Sequence, residues 1–150
     1  MSRLRRRAVL ALPLAATLPP AASAQSIPVE SFSEAKHTIL AGRTPTASGV
    51  EIDMPALSEN GNSVDIAVRV DSPCTAEDHV TAIHILSEKN PYPRIASMRL
   101  SPRAGRAEVA TRIRLATTQT ILVLAETSRG VVHAASREVI VVLGACLETG

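Results

Sequence analysis

The run Val64-Asp65-Ile66-Ala67-Val68-Arg69-Val70 constrains this chain more than any other stretch. Apolar β-branched residues alternate with polar or small ones at a period of two. Such a run suits a strand with one dry face and one wet face. The same period returns along the chain. Val50 and Ile52 alternate with Glu51 and Asp53. Ala107, Val109, Thr111, Ile113 and Leu115 alternate with Glu108, Ala110, Arg112 and Arg114. Ile121, Val123 and Ala125 mark another strand, and residues 80–86, with Ile83 and Ile85 inward, residues 95–100 and residues 131–143 complete the set.

Turn chemistry separates these runs. Asn60-Gly61 lies inside a turn over residues 58–62, and Asn-Gly is a strong hairpin signal. Asp71-Ser72-Pro73-Cys74-Thr75, Ser101-Pro102-Arg103-Ala104-Gly105 and Ser128-Arg129-Gly130 are loops. Glu88-Lys89-Asn90-Pro91-Tyr92-Pro93 is a stiff one, because two prolines fix their own φ and restrict the residues before them. Seven short antiparallel strands with turns about every ten residues predict an all-β, immunoglobulin-like sandwich. The chain has one Phe, one Tyr and no Trp, so the core must be Ile, Val, Leu and Ala. The inter-sheet disulfide and core Trp usual in immunoglobulin domains are both missing.

A helix precedes the strands. Residues 28–42 place Phe32, Ala35, Ile39 and Leu40 on one face. Ser31 with Glu34 three residues on forms a capping box, and Gly42 is a C-terminal stop. This helix either covers one side of the core or docks on a partner. Thr44-Pro45-Thr46 connects it to the first strand.

The first residues are a leader. Arg3 and Arg5-Arg6-Arg7 are followed by an apolar segment over residues 8–18, too short to span a bilayer, and by a small-residue cleavage site at Ala22-Ser23-Ala24. Arg6-Arg7 fits a twin-arginine signal, with Val9 in the place of the usual Phe; an arginine-rich general secretory signal is the alternative. The organisation is thus a signal peptide over 1–24, a helix and connector over 25–46, a sandwich over 47–143 and a cysteine arm over 144–150. Cleavage removes four arginines and no acid, leaving 12 basic against 14 acidic residues, a net charge of about −2. With no basic block and no aromatic stacking platform, nucleic-acid binding is excluded.

The last strand leads into Gly144-Ala145-Cys146. Glycine frees the backbone and Ala145 is small, so Gly144 and Ala145 predict a flexible arm carrying the Cys146 thiol. The bland alternative is a frayed strand end with a stray cysteine. The other cysteine, Cys74, follows the second predicted strand. With alternating strand directions, Cys146 shares an end with residues 58–62 and 88–93, and Cys74 lies at the opposite end. A strand of seven residues spans roughly 23 Å. A disulfide needs Cα atoms within about 7 Å, so an internal bridge is not expected. Cys74 is then a surface thiol, a partner for another chain, or a partly buried small hydrophobe.

The residue chemistry points to a carrier or a binding module rather than an enzyme. A thiolate is the nucleophile, and no Lys, Arg or His lies within several residues of Cys146 to favour it. No Cys-x-x-Cys pair and no nucleophile motif is present. His37, His79, His84 and His133 are scattered, which makes them surface or half-buried residues rather than metal ligands, so no metal site is expected. Arg112 and Arg114 share a wet face and are solvated charges or a docking patch for an acidic partner. The helix and the loop at residues 90–93 are also candidate partner surfaces.

Asn60-Gly61 preceded by Ser58-Glu59, the loop Glu88-Lys89-Asn90-Pro91-Tyr92-Pro93, Thr111-Arg112-Ile113-Arg114-Leu115 and the strand entering Gly144-Ala145-Cys146 together resemble SoxY, the sulfur-carrier subunit of the bacterial thiosulfate-oxidising Sox system. The resemblance spans nearly the whole chain. It implies a soluble periplasmic sandwich paired with a SoxZ-like subunit. It implies that Cys146 carries sulfur intermediates covalently, that the heme protein SoxXA loads the thiol, that SoxB hydrolyses the terminal sulfonate, and that other Sox-type enzymes act in turn. No cofactor beyond that covalent adduct is implied. The family tail is Gly-Gly-Cys-Gly-Gly, whereas here the cysteine is followed by Leu147-Glu148-Thr149-Gly150. Leu147 adds bulk, and Glu148 repels anionic sulfur species, so the tail departs from the slim backbone that suits the SoxB channel. The rival readings are an immunoglobulin-like periplasmic adaptor or structural module, and a divergent SoxY paralogue that no longer carries sulfur.

Overall fold

The computed structural model describes residues 29–146. Residues 1–28, which include the expected leader, and residues 147–150 lie outside them. Helix α1 is Phe32–Leu40, and eight strands follow: β1 Val50–Asp53, β2 Leu57–Asn60, β3 Val64–Val70, β4 Val80–Ser87, β5 Arg94–Arg99, β6 Ala107–Ile113, β7 Gln119–Thr127 and β8 Val132–Leu143. A short 3₁₀ turn, Pro102–Ala104, joins β5 to β6. The strands form two sheets, β1-β3-β6 and β2-β8-β7-β4-β5, packed as an immunoglobulin-like sandwich.

The count corrects the expectation of seven strands, and β2 is the extra one. Leu57 and Ser58 pair with Ile140 and Val141, and Asn60 pairs with Leu143, in parallel register. The turn expected over residues 58–62 is confined to Gly61 and Asn62. β1 and β2 are one run broken at Met54-Pro55-Ala56. Pro55 has no N–H for a ladder, so the chain leaves the small sheet there and rejoins the large one in the same direction. That is why β2 runs parallel to β8 while every other pair among the described strands is antiparallel.

The inner layer is aliphatic, as the composition demanded. Val64, Ile66, Val68 and Val70 meet Ile83, Ile85, Ile121, Val123, Ala125, Val139 and Val141 in one cluster. On the outer face of the large sheet, Ala35 and Ile39 of α1 pack on Leu86, Leu124 and Val132, with Phe32 and Leu40 at the rim. The helix therefore covers a core, and its apolar face is not free for a partner. β4 and β7 are buried on both faces, which explains the near-continuous apolar run Ile121-Leu122-Val123-Leu124-Ala125. Each large aliphatic side chain so buried contributes about 1.5–3 kcal/mol.

Polar contacts fix the helix at both ends. The capping box forms as read: Glu34 N donates to Ser31 Oγ at 3.2 Å, and Ser31 N donates to Glu34 Oε2 at 2.7 Å. At the other end Ala41 is the C-cap, and Gly42 follows as the left-handed stop expected there, with φ 80°. Arg43 donates to the carbonyls of Leu40 and Ile39 at 2.9 and 2.7 Å, and reaches Glu126 Oε2 at 2.5 Å. Glu126 Oε1 accepts from His84 Nε2 at 2.9 Å, and His84 Nδ1 faces Ser97 Oγ at 2.8 Å. Burial pushes the Glu126 carboxyl up, but hydrogen bonds and charge from Arg43 and His84 outweigh it and hold the group below its ordinary value. Arg94 grips Glu30 at 2.9 Å beside the helix start.

Candidate functional site

The site lies where β8 ends. Gly61 N donates to Leu143 O at 2.7 Å, Leu115 N donates to Gly61 O at 2.8 Å, and Ala145 N donates to Leu115 O at 2.9 Å. Three segments distant in sequence thus meet through their backbones: the β2–β3 turn, the chain after β6 and the tail. The approach is possible because two residues lack Cβ. A Cβ at Gly61 would drive into Leu115 O, and one at Gly144 into Ala116 O, each closer than real Cβ atoms come. Neither glycine has a left-handed φ. Both are needed for space.

Gly144 and Ala145, expected to give the arm its flexibility, are both in contact with the sandwich. Ala145 is 7% exposed and hydrogen bonded, and Gly144 lies against Ala116. The root of the arm is docked. Cys146 follows it directly and is exposed, with a free thiol.

Under the root is a polar network that sequence reasoning missed. Ser87 is fully buried and Gln119 is nearly so. Ser87 Oγ donates to Gln119 Oε1, which also accepts from Lys89 N at 3.0 Å. Asn90 N donates to Ser87 Oγ at 3.1 Å. Asn90 Oδ1 accepts from Gln119 Nε2 at 2.9 Å and from Ala116 N at 3.0 Å, while Asn90 Nδ2 donates to Arg114 O at 2.8 Å. The loop of residues 88–93 is thereby bound to the segment that holds the tail. Its inclusion among partner surfaces needs dividing: Asn90 turns inward, and Tyr92 remains about half exposed. An asparagine directly before Pro91 was the available signal.

The strand directions place the cysteines as expected. β3 starts beside the end of β8 and runs away from it, so Cys74 in the following loop lies at the far end. Its thiol is free, half-buried against the core, and its backbone is left-handed at φ 52°. Among the histidines, His84 enters the Glu126 cluster, His79 Nδ1 faces Thr75 O, and His133 Nδ1 faces Ser48 O. Among the described residues no three of His, Cys, Asp or Glu gather as metal ligands would. Arg112 pairs with Asp65 at 2.9 Å, both largely solvated, and Arg114 is exposed past the end of β6.

Beside the site runs an apolar strip. Leu57 and its register partner Ile140 are about half exposed, and Val142 and Leu143 are 62% and 68% exposed. No helix among the described residues is long and apolar enough to cross a membrane.

The family model described as "Sulfur oxidation protein SoxY" matches residues 36–146. Among solved structures, the sulfur carrier protein SoxY from Chlorobium limicola f thiosulfatophilum is 30% identical, covering 74% of this chain and 98% of its own, with a TM-score of 0.58. A superoxide reductase (neelaredoxin) variant from Ignicoccus hospitalis is 14% identical over 75% of this chain and 94% of its own, with a TM-score of 0.56. A superoxide reductase-like protein from Thermotoga maritima is 21% identical over 61% of this chain and 84% of its own, with a TM-score of 0.53. These last two share the fold alone. No curated protein sequence matches the chain.

Proposed function

The chain belongs to the SoxY family of sulfur oxidation proteins, and from that footing we propose that it carries sulfur covalently on Cys146. The observation that carries this reading is the exposed thiol set immediately after a docked root. Such a thiol is reachable by the active sites of other proteins, yet stays attached to a rigid body. The chain supplies an attachment point, and the chemistry belongs to its partners.

Loading is an oxidative coupling. The Cys146 thiol and the terminal sulfur of thiosulfate form an S–S bond, releasing one proton and two electrons. The electrons pass to the heme of a SoxXA-type partner. Water then cleaves the bond to the sulfonate sulfur, which leaves as sulfate and leaves a persulfide on Cys146. We assign this work to the periplasm, in a pair with a SoxZ-like sandwich. The strip of Leu57, Ile140 and Val142 supports that pairing, because contiguous exposed apolar side chains mark interaction surfaces.

Intact-mass spectrometry of the mature protein tests the reading. Incubation with thiosulfate and a heme loading enzyme should add a reductant-labile mass that maps to Cys146 and is lost in Cys146→Ser. If no adduct forms while a variant with a Gly-Gly-Cys-Gly-Gly tail does load, the carrier reading fails for this chain, and an adaptor that keeps the scaffold without the chemistry replaces it.

A further inference from the structure

The Asn90 side chain bonds Gln119 at the start of β7 and makes its two other hydrogen bonds to the segment after β6. Those two bracket a single residue: Nδ2 donates to the carbonyl before Leu115, and Oδ1 accepts from the amide after it. Leu115 itself is fully buried, with its N–H on Gly61 and its carbonyl holding Ala145. Ala116 O is the wall against which Gly144 lies. None of these bonds belongs to a β-ladder, so the sheets do not require them.

We propose that Asn90 is a positioning residue for Cys146: acting through Leu115 and Ala116, it fixes the point at which the cysteine arm leaves the sandwich. This deepens the carrier reading and rests on it. With the root docked, the Cys146 Cα is one virtual bond, about 3.8 Å, from a fixed residue. With the root released, the nearest fixed residue is Leu143, three residues back, and the reach is about 10 Å. The volume searched by the thiol then grows about tenfold, and its effective concentration at any one place falls by a similar factor. A partner that approaches the sandwich in one orientation therefore meets the thiol less often when the root is loose, although the thiol itself is unchanged.

The test uses a nitroxide label on Cys146 in a Cys74→Ser background, read by electron paramagnetic resonance in the folded protein. Asn90→Ala should convert a slow, ordered signal to a fast one. It should also lower hydrogen-exchange protection of the Ala145 amide about tenfold. Val68→Ala, a core cavity in the middle of β3, should lower stability without moving either readout. Alkylation of unlabelled Cys146 by iodoacetamide should change less than twofold, while loading by the heme partner at subsaturating concentration should fall about tenfold. Equal label mobility in Asn90→Ala and the parent, or equal mobilisation by Val68→Ala, would overturn the proposal. Should Asn90→Ala not fold, Asn90→Asp retains both acceptor bonds and removes the donor to Arg114 O; intermediate mobility supports the proposal, and parental mobility refutes it. The label needs no sulfur chemistry. A Cys146 that never takes up sulfur but follows this mobility pattern would therefore refute the carrier reading while leaving the positioning role standing.

Discussion

The amide of Ala145 donates to the carbonyl of Leu115 at 2.9 Å, and this bond ties the residue before the thiol to a segment thirty positions upstream. It fixes the start of the arm to the sandwich rather than to the end of β8. The thiol's location is then a property of the fold, carried by Leu115 and the groups that hold it.

The first prediction concerns Gly144. Gly144→Ala puts a methyl group into Ala116 O, a backbone atom that cannot rotate away. Either the root lifts or the segment after β6 shifts. Overpacking of this kind costs about 1–3 kcal/mol. Urea denaturation should show that loss, and the Ala145 amide should lose exchange protection. Gly105→Ala is the useful contrast: a Cβ there meets open space, so its cost comes from the left-handed φ of 70° alone and the arm stays docked. An Ala145 amide still protected in Gly144→Ala would refute the close-approach account.

The second prediction is about acid. Glu126 is held below its ordinary value of 4.5, so the folded state binds its proton less readily than the unfolded chain does. The sign follows: its stabilising effect is fully present above pH 4.5 and is lost as pH falls through the lowered folded-state value. Glu126→Gln should therefore flatten the acid limb of the stability profile below about pH 4.5 relative to the parent. Glu34 is lowered too, chiefly by its capping bonds to Ser31, and titrates in the same window in both proteins. The comparison between the two profiles isolates Glu126, and parallel acid limbs would count against the Arg43–Glu126–His84 clamp.

The parts of this fold that could be read from the sequence are those in which local pattern and tertiary demand agree. Val64–Val70 reads as a strand because alternate residues face one dry layer, and those four valines and isoleucines are buried. Ser31 and Glu34 announce a helix start because both halves of the box lie within four residues. β2 was not legible: Ser58-Glu59-Asn60 has no strand signature, and what makes it a strand is the ladder to β8, some eighty residues later. Gly144 has a reason the local sequence does not show. A glycine before a terminal cysteine reads locally as freedom, and the space it leaves for Ala116 O is needed only because folding brings that carbonyl close. Asn90 looked like part of a stiff loop, because its partners lie 24 to 29 residues away.

The third prediction addresses the apolar strip. Val142 is 62% exposed, so Val142→Asp should leave folding nearly intact, within about 1 kcal/mol. If a SoxZ-like subunit covers Leu57, Ile140 and Val142, the same change buries a charge without a partner and should weaken the pair by at least tenfold. Calorimetric titration with the partner reads the difference. Unaltered affinity would move the pairing surface elsewhere, with Tyr92 and Arg114 the next exposed candidates.

The fourth prediction separates the two thiols. Cys146 is exposed, whereas Cys74 packs half-buried against the core with Cys74 N donating to Ser72 Oγ at 3.3 Å. Reaction with a disulfide reagent should therefore show two phases of one thiol each, with the fast phase absent in Cys146→Ser and the slow phase absent in Cys74→Ser. Because the cysteines sit at opposite ends of the sandwich, mild oxidation of the isolated protein should give disulfide-linked dimers through Cys146 and no internal bridge. Non-reducing electrophoresis and intact mass distinguish the two products. An internally bridged monomer with two fewer hydrogens would contradict the strand directions themselves, since a disulfide requires Cα atoms within about 7 Å and the length of β3 stands between the two residues.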